Sequence, residues 1–370
     1  MAGEAPTTTT TRDPAPGRRV AGAAGGVLKR FLTLREGSIV VVTIIVAIYF
    51  AVDTGNFFTG GNLKTLLPYF APFAILAAGE VFLMINGEID LSIGAVYLFA
   101  PFLFYEISNG GVPLVPAVIL ALLAAAAIGL LNGFFTAIIG VSSFITTLGT
   151  LFAFEGLTLI VSHAQPVQTP GAGVTTTSEK VTHVVNGHQI VLTEQVNHTS
   201  TFASVFGGGT YSELIWALVI VVVLQIALTF TRWGIYTVAV GSNRLGASEA
   251  GIGVRRVLIR NFVVCSLCAG LVGILEAVRA TSVQPDPAGA NAVLLEAIAA
   301  AVIGGTLLTG GVGTVVGALI GALFLGILHD GLVLKGVNAD YLDFYLGLAI
   351  VLAMVVNIYV GRVRRGSGLG

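Results

Sequence analysis

Charge is scarce in this sequence. Only 10% of its 370 residues are Asp, Glu, Lys or Arg, where a soluble domain carries roughly 25%. The missing charges leave long stretches uninterrupted: 55% of the chain is hydrophobic, the mean hydropathy is +0.93, and one apolar run follows another with only short polar or glycine-rich breaks. A run of about 18 or more apolar residues reads as a membrane span. A soluble enzyme, a nucleic-acid binder and a disordered chain are all excluded. The weak alternating pattern of a membrane β-barrel is also missing, so the spans are helical.

Other absences narrow the chemistry. No G-x-x-x-x-G-K-[ST] run occurs, so the chain has no recognisable means of binding ATP, and neither H-E-x-x-H nor G-x-S-x-G is present. No catalytic residue, cofactor or metal is expected. With only two cysteines there is no disulfide framework. Cys265 and Cys268 spell C-x-x-C, but they lie one helical turn apart inside an apolar run, where a free cysteine behaves as a small buried hydrophobe.

What is present divides into a polar tail (1–37) with a threonine run, a membrane domain (38–360) and a short basic tail (361–370). A signal peptide is the competing reading of the first apolar stretch, but no small-x-small cleavage site follows Val52, which favours a retained span. Spans are expected near 38–52, 63–85, 93–108, 112–139, 143–162, 213–231, 257–279, 292–306, 314–334 and 344–360. If the N-terminus is cytoplasmic, fourteen Arg and Lys residues collect on the inner side against four outside, a strong positive-inside bias. The expectation is an all-α membrane protein of about ten transmembrane helices with both termini cytoplasmic. Ten spans split naturally into an inverted five-plus-five repeat, although the halves show no convincing sequence match.

The loop 163–212 differs in kind. Asn186-Gly187 lies between the β-branched runs 181–185 and 189–193, the strongest short-range signal for a β-hairpin. His183, His188 and His198 lack carboxylate or cysteine partners at ligand spacing and read as solvated polar positions. Asn197-His198-Thr199 is formally a glycosylation sequon.

Four features carry chemistry. In Gly87-Glu88-Ile89-Asp90-Leu91-Ser92-Ile93-Gly94, two carboxylates and a serine sit between glycines that let a helix break. The segment reads either as a broken-helix lining of a solute pathway or as an ordinary turn in which Asp90 or Ser92 caps a helix. Glu80, Asn132, Glu155 and Glu276 lie well inside spans. Glu276 has Arg279 one turn on as an ion-pair partner, whereas Glu80 and Glu155 have no local partner and face either a cavity or another helix. Three membrane carboxylates would also suit a proton-coupled secondary transporter. Gly313, Gly317 and Gly321 form a double small-xxx-small repeat for close helix packing, and the glycine-rich run 304–311 before them reads as a sharp inner turn. The loop 232–256 is basic and long, and its small residues would let a short helix lie against a partner.

Taken together, GEIDLSIG, GSNRLGASEAGIGV and QPDPAGA followed by LEAIAAAVIGGTLLTGGVGTVVGALIGALFLGIL resemble the ribose-type permeases of bacterial ABC sugar importers over residues 60–360. The resemblance implies the type II importer-like permease fold in the cytoplasmic (inner) membrane. It also implies three protein partners: a cytoplasmic ABC ATPase, an extracytoplasmic solute-binding protein and a second permease. Beyond membrane lipid no other partner is implied, and no nucleic acid. On it, Asn243, Ala247, Ala250, Gly251 and Ile252 would couple to the ATPase, with Gly241, Gly246 and Glu249 in the same loop, and Asp90 and Ser92 would belong to the signature near the pathway. Glu80, Glu88, Asn132 and Glu155 are pathway candidates from their own polarity in or beside the spans. The sequence departs from the family in the polarity of Glu80 and Glu88 and in the length of the 163–212 loop. Import of a monosaccharide or related polyol is the expected function, with branched-chain amino-acid import as the nearest rival.

Overall fold

The computed structural model describes residues 37–185 and 188–366. The tail expected over 1–37 lies outside it except for Gly37, as do the Asn186-Gly187 turn and residues 367–370. Among the described residues, seven helices are long and apolar enough to cross a membrane. They are α1 (Gly37–Thr54), α2 (Gly60–Ile85), α4 (Leu114–Phe134, extended by a π-helical turn, Phe135–Ile139), α5 (Ser143–Val161), α7 (Ser212–Phe230), α10 (Val254–Arg279) and α12 (Val315–Leu334). Two shorter apolar helices, α3 (Ile93–Asn109) and α11 (Pro287–Ile303), lie among them, and α13 (Leu342–Gly366) ends the described chain. Three short helices complete the set: α6 (Thr201–Val205), α8 (Arg232–Ser242) and α9 (Arg244–Glu249).

A helix that is apolar on every side belongs inside a large core or a bilayer. Helix α2 takes the first option, with every residue from Phe70 to Ile85 buried. Helices α7, α10, α11 and α12 pack around it. By contrast α1, α4, α5 and α7 leave Ile, Leu, Val and Phe exposed along one side, for example Ile45, Leu123, Phe152 and Val222. Exposed apolar faces of this length suit a bilayer.

The element lengths repeat. Helix α2 has 26 residues and α3 has 17, with 86–92 between them; α10 has 26 and α11 has 17, with 280–286 between them. Each long helix thus breaks for seven residues before a short one begins. Near their N-terminal ends the two short helices touch: a Cβ on Gly94 would sit 3.1 Å from the Ala290 carbonyl oxygen and 3.4 Å from Asn291 Oδ1.

The hairpin forms with the register that a two-residue connection requires. Strands β2 (Val174–Val185) and β3 (His188–Thr199) pair antiparallel from Val174↔Thr199 to Val185↔His188, longer than the β-branched runs alone suggest. A separate two-residue pairing joins β1 (Val167–Gln168) to β4 (Ser282–Val283), linking this loop to the break before α11.

Three boundaries need correction. The stretch 232–256 is not one loop: Thr231 accepts a hydrogen bond from the Gly234 N–H through its side chain and starts α8. The helix expected over 292–306 spans Pro287–Ile303, because Asp286 caps it with Pro at the first position, where a missing N–H does no harm. The last helix runs on through Gly366, so 361–366 continue it as helix past the expected end of the span at 360.

Candidate functional site

The segment 86–92 turns back on α2 at Gly87 (φ 73°), a left-handed conformation that suits glycine. It returns far enough for the Asp90 N–H to donate to Glu80 Oε1 at 3.0 Å. Cys265 Sγ of α10 donates to the other oxygen, Oε2, at 3.0 Å, so the partner missing near Glu80 in sequence comes from 185 residues away. Both cysteines are free and buried, and both pack on Gly79. Asp90 Oδ1 accepts from the Ser92 N–H (2.8 Å) and hydroxyl (2.5 Å). Asn132 Nδ2 of α4 then donates to Ser92 Oγ (2.7 Å), and Thr150 Oγ1 of α5 donates to Asn132 Oδ1 (2.9 Å).

Glu80, Asp90, Ser92 and Asn132 are all 0% exposed. The capping reading of GEIDLSIG holds: Ser92 takes the N-cap position and the Asp90 carboxylate satisfies its N–H, with Asp90 and Ser92 buried, Ile89 and Leu91 half-buried and Gly87 exposed. Asp90 Oδ2 has no hydrogen-bond partner. Glu155 stands apart from this group. It accepts from Asn291 Nδ2 of α11 at 2.9 Å, so it too has a partner from a distant helix. The expected Glu276–Arg279 pair forms and is joined by Glu213 of α7, whose Oε1 lies 3.2 Å from Arg279 Nε.

The same turn is tied to the segment 232–256. Glu88 Oε1 accepts from Arg244 Nη2 at 2.7 Å, and the Asn86 carbonyl accepts from the same nitrogen at 3.0 Å. Asn86 Nδ2 donates to the Thr237 carbonyl of α8 (2.7 Å). Asn86 Oδ1 accepts from Asn261 Nδ2 of α10 (2.6 Å), whose own oxygen accepts from Trp233 Nε1 (2.7 Å). Gly241 meets α2 directly: a Cβ there would lie 1.8 Å from the Ile85 carbonyl oxygen. That oxygen already accepts the Gly311 N–H at 2.7 Å, so the glycine-rich turn 304–311 closes the junction from its other side.

Helix α9 projects from this junction. Asn243 caps it by accepting from the Gly246 N–H, Ala247 is buried against Val240 and Val257, and Gly251 (φ 82°) reverses the chain. Glu249, Ala250 and Gly251 are exposed and Ile252 is half-buried. Leu245, at 71% exposure, is the most exposed apolar residue of this segment. In α12, Cβ atoms at Gly317 and Gly321 would fall 2.2 and 2.0 Å from the carbonyl oxygens of Gly304 and Ala300, and one at Gly313 would strike Ile85 and Thr306.

Arg244, Asn86 and Asn261 were not singled out from sequence. Asn261 had a readable signal, a lone amide inside an apolar run; the Arg244–Glu88 pair, 156 residues apart, had none.

The family described as branched-chain amino acid transport system / permease component matches residues 62–354. The xylose/arabinose import permease of Sulfolobus acidocaldarius is 37% identical over 347 residues, 91% of this chain and 87% of its own. The ribose import permease of Escherichia coli K12 is 32% identical over 88% of this chain and 94% of its own, and the D-allose permease of the same strain is 27% identical over 89% and 93%. No solved structure matches. The matched span takes in the broken-helix turn, the segment that carries α9 and the later glycine-rich turn 304–311, and the chain belongs to this family of multi-pass inner-membrane transport permeases.

Proposed function

We propose that this chain is the membrane-spanning subunit of an ATP-driven importer for a monosaccharide or related polyol. The transport reading is carried by one observation: the exposed helix α9 is anchored through Arg244 to the turn that breaks α2 from α3. A push on α9 from a cytoplasmic ATPase would reach Glu88, and through the turn Asp90 and Ser92, without crossing a flexible linker. The sugar reading rests on relatives named for xylose/arabinose, ribose and allose that align along nearly the whole chain, although the family label names branched-chain amino acids.

In this scheme the ten apolar helices all span and both termini are cytoplasmic. Gly241, Asn243, Gly246, Ala247, Glu249, Ala250, Gly251 and Ile252 present α9 to the ATPase. A solute-binding protein delivers on the opposite face, and a second permease completes the pore. Glu80, Glu88, Asp90, Ser92, Asn132 and Glu155 hold the broken helix beside the route. Reconstitution with a cognate ABC ATPase and solute-binding protein tests the scheme: ATP-dependent uptake of a pentose or hexose is expected. Uptake of leucine with no sugar transported would replace the sugar reading, and uptake abolished by an uncoupler at constant ATP would replace the ATP-driven one.

A further inference from the structure

Where α3, α10 and α11 come together beside the break 280–286, they border an open cavity of about 170 Å³. Its polar wall is formed by Tyr97, Glu276, Gln284 and Asp286, and its apolar wall includes Pro101. Backbone closeness shapes it. A Cβ on Gly273 would fall 2.1 Å from the Tyr97 carbonyl oxygen, and one on Gly289 would fall 2.6 Å from Asp286 Oδ2. Side chains at those two positions would fill the space or turn the Asp286 carboxylate aside.

Beside the cavity the two short helices bring their N-terminal ends together, Gly94 against Ala290 and Asn291, and the buried Asn291 Oδ1 has no hydrogen-bond partner. Discontinuous helices meeting at their N-termini are a common way to build a solute site within a membrane.

The lining selects a ligand class. Among the described residues that line the cavity there is no Lys or Arg. The neighbouring guanidinium of Arg279 is already shared by Glu276 and Glu213. An anion, or the carboxylate of an amino acid, would therefore meet carboxylates without a free cation. Glu276 is neutralised by Arg279, which leaves Asp286 as the one lining carboxylate without an ion pair, and its Oδ1 accepts the Ala288 N–H. Carboxylate oxygens accept from hydroxyls, Gln284 both donates and accepts, and the tyrosine adds a hydroxyl and an apolar ring face.

We propose that this cavity is a binding station for a neutral, polyhydroxylated solute, held by Asp286, Gln284 and Tyr97. The proposal rests on the importer reading above and assigns it a site distinct from the buried Asp90 network.

Two measurements test it. In the full-length permease lacking Cys265 and Cys268, Ser282→Cys places a thiol in the cavity wall. Its alkylation in nanodiscs should slow in the presence of ribose, xylose or arabinose, and not with leucine or propylammonium. Equal rates with and without sugar, or equal protection by leucine or propylammonium, would overturn the assignment. In the assembled transporter, Tyr97→Phe and Gln284→Leu each remove one hydrogen-bonding group, so uptake should fall about fivefold or more and the ranking of ribose, xylose and arabinose should change. A purely structural role would lower all three sugars alike. Unaltered rates and ranking in both variants would remove the station while leaving the importer reading in place; a wild-type complex that transports leucine and no sugar would remove the sugar reading on which the station rests.

Discussion

Asp90 and Arg244 lie on the same turn, yet they should fail in different ways when replaced. Asp90 is fully buried, and its Oδ1 satisfies two donors of Ser92. Asp90→Ala strands both, at about 1–3 kcal/mol for each unsatisfied group, so the detergent-solubilised protein should melt earlier and express poorly. Asp90→Asn keeps an acceptor at Oδ1 and should lie between the two; a full loss of stability in Asp90→Asn would mean that the charge, not the acceptor, holds the turn. The side chain of Arg244 is 49% exposed but that of Glu88 only 10%, so losing the arginine strands a buried carboxylate whereas Glu88→Gln does not. Glu88→Gln should therefore leave melting nearly unchanged while uptake and solute-stimulated ATP hydrolysis fall together, and Arg244→Gln should lose the same activities with a lower melting temperature. The exchange Glu88→Arg with Arg244→Glu should recover part of both activities. No recovery in the exchanged pair, with the protein folded, would break the link between α9 and the turn.

At the scale of elements, Gly241 is the tightest point between α8 and the end of α2. The methyl of Gly241→Ala would overlap the Ile85 carbonyl, and backbone cannot yield as a flexible side chain can. The coupling segment should shift away from α2 while the membrane core, centred on Phe70–Ile85, stays packed. Insertion is expected to be normal and transport lost; normal transport would show that the junction gives way without consequence. Ala250→Arg works from the other side of α9. Ala250 is exposed, so the substitution should leave stability intact and block a partner from seating. Full coupled uptake in a normally inserted Ala250→Arg protein would take α9 out of the ATPase contact.

These elements also show what the sequence could reveal. Helix positions were legible because apolar length is a local property, and the hairpin because Asn-Gly between β-branched runs is a local signal. Asp286-Pro287 is an equally local helix-start signal, and it sets the N-terminus of α11 five residues before the expected 292. The polar network was legible only as a set of residue types. Glu80 with Cys265, Glu155 with Asn291 and Glu88 with Arg244 are joined by tertiary packing across 136 to 185 residues, and no spacing rule reaches that far.

At the scale of the whole molecule, a 26-residue helix, a seven-residue break and a 17-residue helix occur twice, once in each part of the chain. The breaks are built alike but carry different chemistry: Asp90 is enclosed by the Glu80–Ser92–Asn132 network, whereas Asp286 opens onto a cavity. If the halves are inverted, the chain crosses the membrane an even number of times and its ends lie on one side, as the fourteen-to-four distribution of basic residues requires. Single cysteines at Thr175 and Ser367, in a background lacking Cys265 and Cys268, separate the alternatives. In intact cells an impermeant thiol reagent should label position 175 and spare 367, with 367 becoming reactive only after permeabilisation. An odd number of crossings would put the Arg362–Arg365 tail outside and α9 out of reach of ATP, so labelling at both positions in intact cells would defeat the topology and the coupling scheme together.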